Sequence, residues 1–387
     1  MSIKVEDYYA PATFQRMKAF ADTQETPFVV IDTSIISKAY DDLRAGFEFA
    51  SVYYAVKANP AVEIIDLLKE KGSSFDIASI YELDKVMSRG VGPERISYGN
   101  TIKKAKDIRY FFEKGVRMFA TDSEADLRNI AKAAPGSKVY VRILTEGSTT
   151  ADWPLSRKFG CQTDMAMDLL ILARDLGLVP YGLSFHVGSQ QRDISVWDAA
   201  IAKVKVIFER LKQEDGIELK LINMGGGFPA NYITRTNSLE TYAEEIIRFL
   251  KEDFGDELPE IILEPGRSLI ANAGVLVSEV VLVARKSRTA VERWVYVDVG
   301  LFGGLIETMG EAIKFPIYTE KKGEMEEVVI AGPTCDSADI MYENYKYGLP
   351  LNLAIGDRLY WLSTGAYTTS YSAVEFNGFP PLKAFYL

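Results

Sequence analysis

The stretch SVYYAVKANP, residues 51–60, sets the pattern of the chain. A run of β-branched and aromatic residues ends in Lys57, and Pro60 marks the break after it. Seven further short runs come later: SFDIA (74–78), ISYG (96–99), RMFATD (117–122), KVYVRIL (138–144), PYGLSFHVG (180–188), LKLINMGG (219–226) and EIILEPG (260–266). Amphipathic stretches separate them. After the sixth run, Trp197, Ile201, Val204, Phe208 and Leu211 fall at helical steps of three and four. Ahead of Leu239, Asn237 with Glu240 three residues on reads as a helix start. Eight strand–helix units over about 210 residues predict an α/β fold, a TIM-like (β/α)8 barrel. A doubly wound open sheet is the alternative, because periodicity does not reveal closure.

Outward from these units the pattern changes. A strand-like FVVID (28–32) and a helix-like stretch to about 47 lead into them, so the barrel domain is expected to run over 26–267. From 268 to 387 the strands VLVSEVVLVARKS (275–287), RWVYVDVG (293–300), EVVIAG (327–332) and DRLYWLSTG (357–365) are separated by turns, which predicts a C-terminal β-domain. The Tyr-rich residues 1–25 are expected to pack on that domain.

Composition narrows the function. The chain has 387 residues and a net charge of −10, which argues against nucleic acid and suits a cationic small molecule. No apolar run approaches 18 residues, so no membrane span is expected, and the acidic start is not a secretory signal. The two cysteines, Cys161 and Cys335, cannot build a disulfide framework and fit a cytoplasmic setting. A single histidine, His186, leaves no His-rich metal site, and no metal is expected.

The chemistry-bearing residues share an address. Lys57, Asp76, Arg142, His186, Gly225, Gly226, Gly227 and Glu264 each stand at or just after the C-terminal end of a run. That end of a parallel barrel holds the active site. GGGFP (225–229) lets backbone N–H groups approach an anion, although many glycine runs are only turns. EPGR (264–267) adds Arg267, a planar fork of donors suited to phosphate. Neither stretch is a nucleotide loop. Lys57 is either a chain reaching to the surface or an amine nucleophile whose pKa burial has lowered. A phosphate cradle and a Schiff-base lysine together suggest pyridoxal phosphate, with Glu264 beside the pyridine nitrogen. His186 is a core residue or a partner stacked on the ring, and Ser189 a donor to the phosphate. Cys335, in GPTCDSAD (332–339), is flanked by turn residues and followed by Asp336, a carboxylate suited to a distal ammonium. Cys161 reads as packing.

YYAVKAN, FDIAS with Glu82, SFHVGSQ, NMGGGFP, EPGR, GPTCDSAD, STGAY and FNGF (376–379) occur in the order found in the fold-type III pyridoxal phosphate-dependent decarboxylases, and the chain resembles their ornithine decarboxylase branch from about 25 to 380. The resemblance implies a pyridoxal phosphate-binding barrel with a C-terminal β-domain, working as a head-to-tail homodimer with shared active sites. It implies that Lys57 carries the cofactor, with Asp76, Glu82 and Arg142 around it. His186 would stack on the ring, and Ser189, Gly226, Gly227, Arg267 and Tyr367 would hold the phosphate. Glu264 would pair with the pyridine nitrogen. Cys335 and Asp336 would come from the partner subunit, to protonate the α-carbon and to bind the distal amine. The implied reaction turns L-ornithine into putrescine and CO2, in polyamine biosynthesis.

There are departures. Where animal members carry a Tyr-Asp pair for the distal ammonium, this chain has Gly310 and Glu311, and Phe302 stands where Tyr is usual. Lysine as a second substrate is therefore an open alternative, as is carboxynorspermidine. A diaminopimelate enzyme would need an Arg where Asp336 and Glu311 stand, and arginine decarboxylases of this fold are expected to be much longer. A non-catalytic regulator resembling the antizyme inhibitors is a rival of another class, against which Lys57 and Cys335 argue. The chain ends at Leu387, soon after FNGF, so the regulatory tail of animal members is expected to be absent.

Overall fold

The computed structural model describes residues 3–145, 150–154 and 158–387. After helix α1 (Pro11–Ala21) come strand β1 (Phe28–Ile31) and helix α2 (Thr33–Gly46). Then β2 (Ala50–Ala55), β3 (Ser74–Ile77), β4 (Ile96–Tyr98), β5 (Met118–Thr121) and β6 (Lys138–Arg142) alternate with α3 (Val62–Glu70), α4 (Ile80–Ser88), α5 (Ala105–Glu113) and α6 (Glu124–Ala133). The alternation resumes with β7 (Ala151–Trp153), α7 (Thr163–Asp175), β8 (Val179–Ser184), β9 (Ser189–Gln191), α8 (Ser195–Asp215), β10 (Leu221–Asn223), α9 (Leu239–Phe254) and β11 (Glu260–Leu263). Eight of these strands close into a barrel in the order β10-β11-β2-β3-β4-β5-β6-β8, every pair parallel. Closure decides between the two sequence readings in favour of the barrel. All eight runs read from the sequence supply its strands, and β7 and β9 form a separate two-stranded ribbon.

Inside the barrel, Tyr53, Ala120, Tyr140, Tyr181, Leu221 and Ile262 form a buried cluster. Tyr140 reaches Ser97 by a 2.8 Å hydroxyl–hydroxyl bond, so its polar tip is satisfied. On the outside, α8 buries Trp197, Ile201, Val204 and Leu211 as its period predicts. Helix α9 starts one residue later than Asn237: Ser238 is the N-cap, its hydroxyl accepting from the Thr241 amide at 3.2 Å.

The chain divides into two compact units. One holds residues 37–229 and 237–266, the other residues 1–36, 230–236 and 267–387. The boundary expected at 26 therefore shifts. Strand β1 belongs to the second unit, where it pairs antiparallel with β12 (Gly274–Arg285) and parallel with β18 (Lys383–Tyr386). Its four residues are all buried, a pattern that suits a barrel strand equally well, so only the pairing discriminates. The second unit's sheet runs β14 (Ile317–Tyr318), β17 (Arg358–Leu362), β12, β13 (Arg293–Val297), β15 (Met325–Ala331) and β16 (Ile340–Pro350). The long β12 pairs with β17 through Glu279 and with β13 from Val280 on, with a register shift at Val280/Leu282. Val5, Tyr9, Phe14, Met17 and Ala21 of the N-terminal segment pack with Phe28, Val30, Val277, Tyr360 and Leu362 in one core.

The loop after β4 is tied down by a buried cation. The Lys103 side chain is fully covered, and its Nζ donates to Asn100 O (2.9 Å), Ala120 O (2.6 Å) and Asp126 Oδ2 (2.7 Å). All three donors of the ammonium are used. Burial pushes this lysine's pKa down, and the Asp126 carboxylate opposes that. Lys103→Met strands the Asp126 charge in the interior. It is expected to cost about 3 kcal/mol or more in urea unfolding, the usual penalty for breaking a buried pair on one side; a loss below about 1 kcal/mol would show that the pair is dispensable.

Candidate active site

The C-terminal rim of the barrel gathers its charges within a few residues of the strand ends. Strand β2 stops at Ala55, and a single 3₁₀ turn, Val56–Ala58, carries Lys57 over the rim. In the β2–β3 register Ala55 faces Asp76, which brings the Lys57 amine within 3.7 Å of the Asp76 carboxylate. The Lys57 side chain is 53% exposed. Its setting is therefore made by a neighbouring carboxylate, and the burial expected from the sequence is not what tunes it. Asp76 itself is buried, and its Oδ1 has no hydrogen-bond partner. Burial raises its pKa, with Lys57 and then Arg142 pulling it back.

Glu264 follows β11 on the same rim. Its Oε1 accepts from the Asn223 amide at 2.5 Å, and the Asn223 Oδ1 accepts from the Gly225 amide at 2.9 Å. Asn223 thus aims the carboxyl and shapes the glycine loop at once. Burial, then the Asp76 charge, lifts the Glu264 pKa to about 7. Arg142 ends β6, with its guanidinium 5.0 Å from the Phe159 ring centroid, and burial lowers its pKa. Glu82 caps α4: its Oε2 accepts from the Ala78 amide at 2.7 Å, and its own amide donates to Ser79 Oγ at 3.3 Å.

His186 follows β8. Its Nδ1 accepts from the Gly188 amide at 3.0 Å, so the ring is bound as an acceptor at that nitrogen. Burial, then the Arg142 and Lys57 charges, drives its pKa well below the ordinary imidazole value. The imidazole is neutral, with Ser189 opening β9 three residues on. In the glycine loop, Gly225 and Gly227 take φ values of +63° and +99°. A Cβ on Gly226 would lie 2.6 Å from Glu264 O and one on Gly227 would lie 2.7 Å from Gly188 O. The loop is packed so closely on its neighbours that only glycine fits, which leaves a stretch of bare backbone.

These barrel residues fit pyridoxal phosphate. An amine reaches over the rim beside a carboxylate, a neutral imidazole offers a ring face, and a half-buried carboxyl near pKa 7 would suit a ring nitrogen. The bare glycine backbone suits a phosphate, and Asp76 Oδ1 retains acceptor capacity.

The second unit carries the other expected residues. Arg267 and Tyr367 are brought together, the guanidinium carbon 4.9 Å from the ring centroid. The Arg267 fork is already engaged: NH2 and NH1 grip the two oxygens of Glu307 at 2.5 and 2.7 Å, and NH1 also reaches Tyr232 Oη at 2.9 Å. Arg267 and Glu307 are both buried. No sequence signal links positions 267 and 307, so Glu307 emerges only from the structure. Tyr367 itself holds a left-handed φ of +55°.

Cys335 is exposed, and its amide donates to Asn377 Oδ1 of the FNGF stretch at 2.9 Å. Phe376 of the same stretch packs on Phe302, ring centroids 4.8 Å apart. Asp336 is exposed, with Oδ1 accepting from the Ala338 amide in a local turn. The loop is organised by Asp339, the last residue of GPTCDSAD, for which the sequence suggests no task. Its carboxylate is buried and accepts from Leu301 N (2.7 Å), Thr334 N (3.0 Å) and Thr334 Oγ1 (2.7 Å).

Glu311, expected to bind substrate, is engaged by the backbone. Its Oε1 accepts from the amides of Glu343 (2.8 Å) and Asn344 (2.6 Å), and its Oε2 from that of Tyr345 (2.9 Å). Partial burial pushes its pKa up, but the three donors outweigh this and hold it low. The carboxylate takes up three consecutive amides of β16, where that strand's pairing with β15 shifts register. Cys161 is buried, its thiol pushed up to about 12 by that burial, which suits packing. Among the described residues no cluster of His, Cys, Asp and Glu could hold a metal ion, and no helix is long and apolar enough to cross a membrane.

Comparison with known proteins places this geometry. The family described as pyridoxal-dependent decarboxylase, pyridoxal binding domain, matches residues 33–271. The lysine/ornithine decarboxylase of Selenomonas ruminantium is 33% identical over 366 residues, covering 94% of this chain and 90% of that protein. The crystal structure of a lysine/ornithine decarboxylase from Vibrio vulnificus complexed with cadaverine superposes with a TM-score of 0.88 at 28% identity, covering 98% of this chain and 99% of that one. An arginine decarboxylase from Paramecium bursaria Chlorella virus, bound to agmatine, is similar over 96% of this chain and all of its own, with 28% identity and a TM-score of 0.86. That last match corrects the expectation that chain length separates arginine enzymes from this one. With a closed barrel whose rim offers a lysine, a buried carboxyl and a glycine cradle, and with these relatives along nearly its whole length, the chain belongs to the pyridoxal-dependent decarboxylases, and its cofactor is pyridoxal phosphate.

Proposed function

We propose that the protein decarboxylates L-ornithine to putrescine and CO2, and that it accepts L-lysine as a second substrate. The observation that carries this reading is the exposed Cys335–Asp336 pair on a loop fixed by Asp339: a proton donor beside a carboxylate suited to a distal ammonium. Lysine is favoured as the second substrate because Glu311 is consumed by backbone donors. Asp336 is then the acid left for the distal amine, and one exposed carboxylate sets chain length less strictly than two.

When bound, the pyridoxal ring supplies an electron sink for the pair released from the carbon–carboxylate bond. The chain does the rest. Lys57 would hold the cofactor through its amine. Glu264 holds the proton of the ring nitrogen. His186, kept neutral, covers a ring face without placing a second positive charge against it. Ser189, Gly226 and Gly227 would grip the phosphate, while the Arg267 fork, expected from the resemblance to join them with Tyr367, is held by Glu307 and Tyr232. Asp336 takes the distal ammonium by a charge-assisted bond, and Cys335 delivers a proton to the α-carbon. The functional unit is a homodimer in which Cys335 and Asp336 of one protomer serve Lys57 of its partner. Retention of both Lys57 and Cys335 favours an enzyme over a regulator of the antizyme-inhibitor kind.

Three measurements test this reading. Borohydride reduction of the cofactor-loaded protein followed by peptide mapping is expected to label Lys57, and Lys57→Ala is expected to abolish the label; a different labelled lysine would refute the assignment. In a panel of amino acids with CO2 release as the readout, ornithine and lysine are expected to lead. Asp336→Asn is expected to raise the Michaelis constant for both about tenfold or more, the loss of a charge-assisted bond. Arginine leading the panel, or an unchanged constant in Asp336→Asn, would reject the proposed substrate recognition. Finally, Lys57→Ala and Cys335→Ala protomers, each inactive alone, are mixed under exchange. Random pairing makes about half the dimers mixed, and each of these regains one intact site, so recovery to about a quarter of wild type is expected. No recovery, with exchange shown by mass labelling, would place both residues in one protomer.

A further inference from the structure

Gly99 stands directly against the Asp76 carboxylate, at the end of β4. A Cβ built on Gly99 would overlap Asp76 Oδ1, and it would lie 2.9 Å from Asp76 Cγ. Its backbone is not in the left-handed region, so conformational freedom does not explain a glycine here. Space does: the missing side chain is the slot that Asp76 Oδ1 fills. That oxygen is buried and has no hydrogen-bond partner, so no donor on the barrel holds it there.

The backbone around Gly99 is fastened on both sides. The Gly99 amide donates to Ile77 O at 3.1 Å, and the Asn100 side-chain amide reaches Ala78 O at 3.4 Å. On the other side, the buried Lys103 ammonium holds Asn100 O, Ala120 O and Asp126. An added methyl at 99 therefore cannot be absorbed by the loop. The free end of the Asp76 side chain is what must give way.

We propose that Gly99 is a positioning residue for the cofactor lysine: by leaving a slot for Asp76 Oδ1 it keeps Asp76 Oδ2 directed at Lys57, 3.7 Å away. The inference rests on the reading of Lys57 as the lysine that carries the cofactor. The groups facing this pair are known. Lys57 meets Asp76, Glu264 and Glu82 as acids, with His186 neutral and Arg142 as the second cation. Asp76 is the acid whose distance from the amine the slot sets. A carboxylate held at that distance stabilises a proton on the lysine nitrogen, and one swung away does not.

The test reads geometry and a spectrum. In a crystal structure of Gly99→Ala the Asp76 carboxylate is expected to have rotated away from Lys57. In the cofactor-loaded enzyme, the pH midpoint of the visible absorbance band is expected to fall by about one unit, the usual effect of losing a counter-charge at this range. Asp76→Asn is expected to lower the midpoint in the same direction. Asp76→Ala/Gly99→Ala, which has room for the methyl and so folds even where the single variant does not, is expected to match Asp76→Ala. The proposal is overturned if Asp76 keeps its place in Gly99→Ala, if the midpoint does not move, or if the Gly99 change shifts the Asp76→Ala midpoint as far as it shifts wild type. Lack of any visible band in the wild-type protein, with Asp76 displaced in Gly99→Ala, would sink the cofactor reading of Lys57 and uphold the hold of Gly99 on Asp76.

Discussion

Two carboxyl groups taken out of water on one barrel rim are the constraint around which the site is arranged. Asp76 is buried and Glu264 half-buried, and burial raises the proton affinity of each, with the Asp76 charge adding to it at Glu264. Such a pair is tolerable only with cations close by, and Lys57 and Arg142 provide them. The arrangement explains why the rim is crowded with small residues and fixed amides. Asn223 orients one acid and Gly99 makes room for the other, a place where a Cβ would overlap the Asp76 carboxylate. It also explains the neutral His186. The charged neighbours have settled the local balance, and a buried imidazolium beside Arg142 and Lys57 would upset it.

The second unit solves a related problem by the opposite means. There the buried charges are satisfied pairwise within short range. Arg267 is clasped by Glu307, and Asp339 collects two backbone amides and a hydroxyl. Gly300 and Gly332 lie against the Asp339 carboxylate so closely that a Cβ on either would overlap it. The result is a stiff frame from which Cys335 and Asp336 project to solvent. Their exposure contrasts with Asp76, which the barrel rim withholds from water.

Range decides how much of this is legible in the sequence. The eight barrel strands are legible because each is a local run with turn chemistry at its end, and the rim residues are legible because a parallel barrel gives them one address. Strand β1 reads as part of the barrel because its partners, β12 and β18, are remote in the chain and a fully apolar tetrapeptide carries no mark of them. Strand β16 escapes notice because its polar alternation, in IMYENYKYGLP, resembles a surface loop. The same limit holds at the site. Glu311 has the right charge in the right register, and only its backbone partners show that it is occupied. Glu307, Asn223 and Asp339 act through other residues, which no spacing rule exposes.

Strand β1 has a consequence for how the chain comes to be folded. Its residues pair in register with Val277 through Gly274 and with Lys383 through Tyr386, so its second edge closes only against a strand far along the chain. During synthesis β1 emerges well before either of its partners, β12 and β18. The barrel, drawn from one nearly continuous span, can assemble while Phe28–Ile31 waits as an apolar edge without its neighbours. The ribosome thus imposes an interval in which four buried-type residues are exposed, and that interval scales with the time taken to translate the C-terminal half.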